Sequence, residues 1–299
     1  MNFMKENMKK EKEEIILKEL KKTRREEMNS SGEKYYSISV NQVKEIASKF
    51  QLPSRKIEIL SLKSNIIPER YHRNLGVINP FEQLKLLQSK VAVIGAGGLG
   101  GTVLELLARM GIGELVVADK DIIGDSNLNR QILSQETNLG QSKSEVAVKR
   151  VKEINSSIKI TGYAVFIDSD NVKKIVKGAD AVVDALDNLP SRFVLQKACR
   201  ELKIPLVHGA IAGFSGQLTT IFPEDKGLEL IYGSARDLPE HGSEATLGAP
   251  TVTPAIIASL EAQEVIKILL KKEKLFRNKL LYIDIENGAI EILKLVVSE

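Results

Sequence analysis

Residues 91–100 read VAVIGAGGLG, a short apolar run followed at once by a glycine-rich turn. The apolar half predicts a buried strand, and residues 99–110 have the pattern of a helix. Glycines between a strand and a helix let backbone N–H groups approach phosphates closely, and the N-terminus of the helix adds a partial positive charge. The stretch therefore predicts a nucleotide-binding turn, with four candidate contacts: Gly95, Gly97, Gly98 and Gly100.

A carboxylate follows at the distance expected for ribose recognition. Asp119 ends the next apolar run, residues 115–118, and lies about 20 residues past the last glycine of the turn. A glycine turn with such a carboxylate fits a nicotinamide-dependent oxidoreductase as well as an ATP-binding protein. The segments that follow, 126–131 and 140–143, place Arg130 and Lys143 where they could bind phosphates, and this favours ATP.

The core of the chain alternates between predicted strands and helices. Strands at 91–94, 115–118, 159–165 and 180–184 are separated by helices near 99–110, 142–153 and 170–177. Such alternation predicts a parallel sheet with right-handed crossovers. Two further strands, 205–210 and 217–222, and a hairpin turn at 286–289 make the sheet mixed.

The predicted fold class is therefore α/β. We expect a Rossmann-like, doubly wound, mostly parallel sheet with a C-terminal antiparallel hairpin, plus a small N-terminal helical extension. Ligands of such sheets bind at the carboxyl ends of the parallel strands, so the glycines, Asp119 and Asp187 should converge there. We expect two domains, residues 1–66 and 67–299.

The N-terminal region has a different composition. Residues 1–34 are rich in Lys and Glu, with a thin apolar stripe at 15–20, and predict a solvated helix or a disordered arm. Ser39 and Gln42 form a capping-box pattern that opens a helix ending before Pro53, and the apolar segment 57–62 predicts a second helix. A DNA-reading helix-turn-helix has this shape but needs a basic recognition face, so docking onto the core or a second subunit is favoured.

Composition narrows the class of protein. The chain has 299 residues, 43% of them apolar and 27% charged, with a net charge of +4. No apolar run approaches the roughly 18 residues of a membrane span, and no signal-like segment is present, so we expect a cytoplasmic protein without a membrane partner. The weak positive charge argues against nucleic acid as a partner. Cys199 is the single cysteine, which excludes internal disulfides, and no structural zinc is expected.

From about residue 70 to 295 the chain resembles the ThiF/MoeB/HesA family, the bacterial relatives of ubiquitin-activating enzymes. The matching blocks occur in the family's order: 70–73, 95–100, 119–121, 126–131, Lys143, 184–188 and 258–267. The resemblance implies adenylation, with ATP and Mg²⁺, of the C-terminal glycine of a small ubiquitin-like carrier protein that ends in Gly-Gly. The products are an acyl-adenylate and pyrophosphate.

The resemblance also implies roles for individual residues. Arg130 and Lys143 contact the phosphates, Asp187 helps to hold Mg²⁺, Asp119 bonds the ribose, and Asn127 lines the nucleotide pocket with Gly98. Arg73 matches the arginine that reaches into the neighbouring subunit's site, which implies a homodimer. The remaining nucleotide-binding positions that it implies are Asp121, Ser126, Gln131 and Asn188.

The chain departs from the family where many relatives carry Cys-x-x-Cys pairs for zinc, and some a further cysteine in the crossover loop. Here the loop region, 232–250, offers the hydroxyls of Ser234, Ser243 and Thr246, which are poor substitutes for a thiolate. Cys199 lies in a helix-like run and is expected to be a packing residue. The reaction should therefore stop at the acyl-adenylate.

Four further polar residues remain: Asp184, Arg192, His208 and His241. Asp184 is expected to bond backbone near the end of its strand, while Arg192 either orients the loop after Asn188 or faces solvent. His208 and His241 lack metal-ligand spacing and are expected to be structural or loop residues.

Three hypotheses from different classes follow. The first is an adenylyltransferase acting on a sulfur-carrier protein of the molybdopterin or thiamin type; relatives in this class also activate peptides or a modified tRNA base. The second is an NAD-dependent oxidoreductase, which leaves Arg130, Lys143 and Asp187 unexplained. The third is a non-catalytic scaffold that kept the nucleotide fold, against which the full phosphate-binding set argues.

Overall fold

A computed structural model of the chain describes residues 2–29, 31–234 and 244–296. It divides into two compact units, Met1–Gln88 with Ser156–Ile158, and Ser89–Asn155 with Lys159–Glu299. The domain boundary expected after residue 66 stays a prediction. None of the described helices combines the length and the apolar character needed to cross a membrane.

The first unit packs helices around a small sheet. Its elements are α1 (Asn2–Thr23), β1 (Arg25–Met28), β2 (Lys34–Ile38), α2 (Val40–Phe50), α3 (Ser54–Lys63), β3 (Ile66–Pro68), a 3₁₀-helix (Glu69–Asn74) and α4 (Pro80–Gln88). The sheet order is β1-β2-β3, with β1 antiparallel and β3 parallel to β2.

The predicted helical pair of this unit is confirmed. The Ser39 hydroxyl accepts from the N–H of Gln42, and the Gln42 side chain accepts from the N–H of Ser39 at 2.9 Å. These bonds satisfy N–H groups that the first turn of α2 leaves without helical partners. The strands β2 and β3, which precede and follow this pair, were not predicted. Their five and three residues are too few to show a clear alternation of apolar and polar side chains.

The prediction for residues 1–34 needs correction. They form neither a wholly solvated helix nor a disordered arm, because Ile16 and Leu20 of α1 are fully buried in a core with α2 and α3 residues. Two apolar side chains four positions apart lie on one face of a helix and suffice to dock it, however charged its other faces are. Residues 25–28 and 34–38 form strands instead.

The second unit contains the predicted alternation. Its elements are β4 (Lys90–Ile94), α5 (Gly98–Met110), β5 (Glu114–Ala118), α6 (Lys143–Ile154), β6 (Lys159–Tyr163), α7 (Val172–Val176), β7 (Ala181–Asp184), α8 (Leu189–Leu202), β8 (Leu206–Ala212), β9 (Ser215–Ile221), α9 (Glu229–Tyr232), α10 (Glu244–Leu247), α11 (Val252–Leu269), β10 (Lys279–Asp284) and β11 (Ala289–Lys294). Two 3₁₀-helices, Asp125–Asn127 and Glu136–Asn138, lie between β5 and α6.

The strand order of the large sheet is β11-β10-β9-β8-β7-β4-β5-β6. Strands β8, β7, β4, β5 and β6 are parallel, and β9, β10 and β11 continue the sheet in antiparallel fashion. The predicted α/β fold class is confirmed. Because β4 lies between β5 and β7, the winding of the sheet changes direction at β4, and the carboxyl end of β4 opens onto a crevice where ligands of such sheets bind.

Candidate active site

The turn after β4 requires glycine at two positions. Gly95 has φ +100°, and a Cβ there would collide with the carbonyl of Ala185. A Cβ at Gly100 would collide with the carbonyl of Gly95, so this glycine permits close packing of α5 on the turn. Helix α5 begins at Gly98, and its first N–H groups lack helical partners. The turn is therefore built to bring backbone N–H donors close to an anion.

A cavity of about 460 Å³ lies at the carboxyl ends of β4, β5 and β7. The predicted site residues that line it are Gly95, Gly97, Gly98, Asp119, Asp121, Arg130, Gln131, Lys143, Asp187 and Asn188. The expected convergence of the glycines, Asp119 and Asp187 at this edge of the sheet is thus observed. Gly100 does not line the cavity; it allows α5 to pack closely against the turn.

Asp119 is bonded to the glycine turn itself. One carboxylate oxygen accepts from the N–H of Ala96 at 2.7 Å, and the other accepts from the N–H of Asp121 at 2.8 Å. Burial raises the pKa of Asp119 above its usual value, while these two hydrogen bonds and Lys143 oppose that rise. Each carboxylate oxygen can accept a second hydrogen bond, so the group can hold the turn and still accept from a ligand hydroxyl.

Lys143 is a buried cation at the first position of α6. Its Nζ lies 3.0 Å from a carboxylate oxygen of Asp121, and its own backbone N–H donates to the Asp121 carbonyl at 3.0 Å. An ammonium group has three donors, so this pair leaves Lys143 able to bind anions in the cavity. Asp121 therefore orients the lysine.

Arg130 lines the same cavity. Nη1 of Arg130 donates to the carbonyl of Ser126 and to Oδ1 of Asn129, each at 2.8 Å. Ser126 and Asn127 do not line the cavity: Oδ1 of Asn127 accepts from the N–H of Gly124 at 3.0 Å and closes the 3₁₀-turn. These two residues shape the turn that carries Arg130, and any direct contact with a nucleotide stays a prediction.

The loop after β7 presents a carboxylate to the cavity. Asp187 is exposed there, and Asn188 caps α8 by accepting from the N–H of Ser191 at 2.9 Å. Asp184 is fully buried and accepts from the N–H of Leu186 at 3.1 Å, which confirms the backbone bond predicted for it. No group of three or more His, Cys, Asp or Glu side chains suited to a metal occurs among the described residues.

Arg192 is hydrogen-bonded to the backbone of this loop. Its Nε and Nη2 donate to the carbonyl of Leu186 at 3.1 and 2.5 Å, and the side chain is buried and lines the cavity. Of the two alternatives predicted for Arg192, orienting the loop is confirmed.

An apolar wall was missed by sequence reasoning. Val165, Phe166 and Ile167, which follow β6, line the cavity beside Asp119 and Lys120. Nζ of Lys120 lies 4.8 Å from the centre of the Phe166 ring, within the range of a cation–π contact. The signal that could have found them is positional, since a segment directly after a parallel strand must emerge at the ligand edge of the sheet.

Arg73 lies in the first unit, on the 3₁₀-helix Glu69–Asn74, and is exposed. The buried carboxyl of Glu58 anchors this segment: it accepts from the Tyr71 hydroxyl at 3.2 Å and lies 3.3 Å from Nε of Arg70. The arm that carries Arg73 is therefore a fixed part of its unit.

Cys199 packs in the core of the second unit, as predicted. Burial raises the pKa of its thiol to about 12, with repulsion from Asp184 as a further cause, so the thiol stays protonated and is not a nucleophile. His208 is also buried and structural, as predicted. His241 and Ser243 lie outside the described residues.

A doubly wound sheet whose switch point carries a glycine turn, a carboxylate and two cations defines a nucleotide-binding α/β protein. The family model described as ThiF family matches residues 71–298, and the chain belongs to that family.

Two curated relatives cover most of their own length in the match. The chain is 38% identical to "SAMP-activating enzyme E1" of Haloferax volcanii over 221 residues, 72% of this chain and 81% of the relative. It is 35% identical to "Sulfur carrier protein adenylyltransferase" of Thermus thermophilus over 224 residues, 72% of this chain and 83% of the relative.

A solved structure, E. coli MccB with ATP, shares the fold with a TM-score of 0.63 and 27% identity, covering 86% of this chain and 83% of that one.

Proposed function

We propose that this chain is an ATP-dependent adenylyltransferase that activates the C-terminal glycine carboxylate of a small ubiquitin-like sulfur-carrier protein, of molybdopterin or thiamin type. The observation that carries the proposal is the meeting of Arg130, Lys143 and Asp187 with the glycine turn at one cavity. The names of the two curated relatives and the ATP complex of MccB support the same activity.

The reaction is a transfer of AMP. A carboxylate oxygen of the carrier attacks the α-phosphorus of ATP, the bond from that phosphorus to the α,β-bridging oxygen breaks, and pyrophosphate leaves with the bonding electrons. The carboxylate is already ionised at neutral pH, so no proton has to be removed from it. The main obstacle is electrostatic, because an anion approaches a polyanion.

The cavity residues can lower that obstacle. Lys143 and Arg130 bring positive charge to the phosphates, and the N–H groups at the start of α5 add donors that are already oriented. Arg130 uses only Nη1 in its bonds to Ser126 and Asn129, so its fork can also bind a phosphate oxygen. Asp119 accepts from the ribose, and the wall of Val165, Phe166 and Ile167 packs against the base.

Asp187 would hold Mg²⁺. One carboxylate from this loop suits the ion, which prefers to complete its shell with phosphate oxygens and water. When bound, Mg²⁺ neutralises negative charge on the phosphates.

The chain supplies no thiolate for a second step, because the Cys199 thiol is buried and protonated. The product is therefore the acyl-adenylate, and sulfur comes from another protein. A cytoplasmic location, and the absence of nucleic acid, membrane and structural zinc from its function, remain predictions.

The active form is a homodimer in which Arg73 acts in the neighbouring subunit's site. Arg73 is exposed, and two large apolar side chains close to it in sequence, Val77 and Phe81, are 85% and 79% exposed. Exposed apolar side chains on a rigid arm favour burial in an interface.

The test is carrier-dependent exchange of labelled pyrophosphate into ATP. Exchange that requires a carrier ending in Gly-Gly supports the proposal, and exchange without any such carrier contradicts it. A peptide substrate is the second candidate, favoured because another structure of MccB, solved with MccA-N7isoASN, matches 86% of this chain at a TM-score of 0.68 and 26% identity. Exchange supported by short peptides and not by carrier proteins would select that candidate.

A further inference from the structure

A network of buried and half-buried polar side chains lies next to the loop that carries Asp187. Nδ1 of His208 is 2.8 Å from a carboxylate oxygen of Asp184, and Nε2 is 3.0 Å from the hydroxyl of Tyr232. The same hydroxyl accepts from Nε2 of Gln217 at 2.6 Å and from Nη1 of Arg192 at 3.3 Å. Four elements of the second unit thus meet at the Tyr232 oxygen.

The proton positions in this network follow from the hydrogen-bond partners of each group. The Asp184 carboxylate is an acceptor, so Nδ1 of His208 carries the proton that it donates. Burial lowers the pKa of His208 despite Asp184, so the ring is neutral and Nε2 is an acceptor. The Tyr232 hydroxyl then donates to Nε2 and uses its lone pairs for Gln217 and Arg192. The position of each polar atom is therefore determined by its neighbours.

The network ends on the backbone of the loop after β7. Arg192 donates to the carbonyl of Leu186, while Asp184 accepts from the N–H of the same residue. Leu186 is held on both sides by groups that are themselves held through the Tyr232 hydroxyl. Because Asp187 follows directly, the hydroxyl fixes the backbone from which that carboxylate reaches the cavity.

We propose that Tyr232 is a positioning residue for adenylation, acting through Arg192 and Leu186 on the loop that presents Asp187, with His208 setting the direction of its hydroxyl. This inference rests on the proposed function. Groups that orient the ligands of a reacting centre typically contribute tenfold to a hundredfold to activity, although they touch no substrate.

The first test is Tyr232→Phe, which removes the hydroxyl and keeps the ring that packs edge-on against His208. In carrier-dependent pyrophosphate exchange we expect kcat to fall about tenfold with KM for ATP within about twofold of wild type. The matched control is Tyr282→Phe, which removes a hydroxyl that is hydrogen-bonded to Ser215 at 3.0 Å and that does not line the cavity. Equal kcat values for the two variants would overturn the inference.

A double-mutant cycle tests whether Tyr232 acts on kcat through Arg192. If Tyr232 acts through Arg192, Tyr232→Phe should have little further effect on kcat in an Arg192→Lys background, whereas fully additive losses would overturn the inference.

If Tyr232→Phe does not fold, as judged by circular dichroism, Gln217→Leu replaces it, with an expected fall in kcat of about threefold; an unchanged kcat would then contradict the inference. Absence of exchange in both wild type and Tyr282→Phe would instead refute the proposed function, and this inference with it.

Discussion

The carboxylate of Asp119, directly after β5, accepts a 2.7 Å hydrogen bond from the N–H of Ala96, inside the glycine turn that follows β4. The residue expected to bind the ribose is thus also a structural partner of the turn expected to bind the phosphates. Because two neighbouring strands end at this bond, loss of the carboxylate disturbs both halves of the nucleotide site.

We therefore expect Asp119→Ala to lower both stability and nucleotide binding. Leaving the buried N–H of Ala96 without an acceptor costs about 1–3 kcal/mol of unfolding free energy. Affinity for ATP should fall at least tenfold, since ribose contact and turn geometry are lost together. Urea unfolding and calorimetric titration measure the two effects. The exposed Asp125→Ala, on the nearby turn, is the control and should change neither; wild-type affinity in Asp119→Ala would refute the ribose assignment.

ATP with Mg²⁺, and not NAD, should stabilise the protein against unfolding. A ligand present at about 100 times its dissociation constant adds roughly 2.7 kcal/mol of stability by mass action, which raises the melting temperature measurably. Differential scanning fluorimetry with each ligand makes the comparison. A shift with NAD alone would instead favour the oxidoreductase hypothesis.

Lys143→Ala and Asp187→Asn should each abolish most of the adenylation rate while leaving the fold intact. Loss of one electrostatic contact to a transition state typically costs about 2.7 to 4 kcal/mol, a hundredfold or more in rate. Both positions border the cavity, and Asp187 is exposed there. Lys149→Ala, an exposed lysine on the same helix, controls for loss of charge. Turnover near wild type in either variant would remove that residue from the mechanism.

The sequence predicted the architecture of the second unit well because its signals are local. The glycine turn and the apolar runs depend on neighbouring residues and lie where they were predicted, as does the Ser39 capping box of the first unit. The Phe166 wall lies beside Asp119 because the sheet brings the two segments together, so only the position of its segment directly after β6 indicates it. The bond from Arg192 to Leu186 was one of two alternatives that the sequence left open. Docking of α1 was missed for a related reason, since two apolar side chains in a charged helix give a weak period.

Stability should depend on pH through Glu261, a fully buried carboxyl in α11. Burial, with repulsion from Asp184, raises its pKa well above 4.5, and Arg192 and the backbone of Gly209 oppose that rise only in part. A raised folded-state pKa means that the contribution to stability is fully present below about pH 4.5 and is lost as pH rises through the folded-state value.

Glu261→Gln, which stays neutral, should therefore gain stability relative to wild type as pH rises from about 5 to 8. Each unit by which the folded-state pKa exceeds the unfolded value corresponds to about 1.4 kcal/mol once the pH is above both. Urea unfolding at several pH values measures the difference, with the exposed Glu273→Gln as control. A constant difference across this range would show that the Glu261 pKa is not raised.

Finally, Arg73 should act across the dimer. It lies on an arm anchored through Tyr71 to the buried Glu58, and it is exposed. We expect Arg73→Ala and Asp187→Asn homodimers each to be inactive, and their mixture to regain up to about half of the wild-type activity per heterodimer, because one of its two sites has both residues intact. Subunit exchange is verified with differently tagged chains, and a mixture of Lys143→Ala with Asp187→Asn, both changes in the same unit, is the control that should stay inactive. If the first mixture stays inactive despite exchange, Arg73 acts within its own subunit or has no part in catalysis.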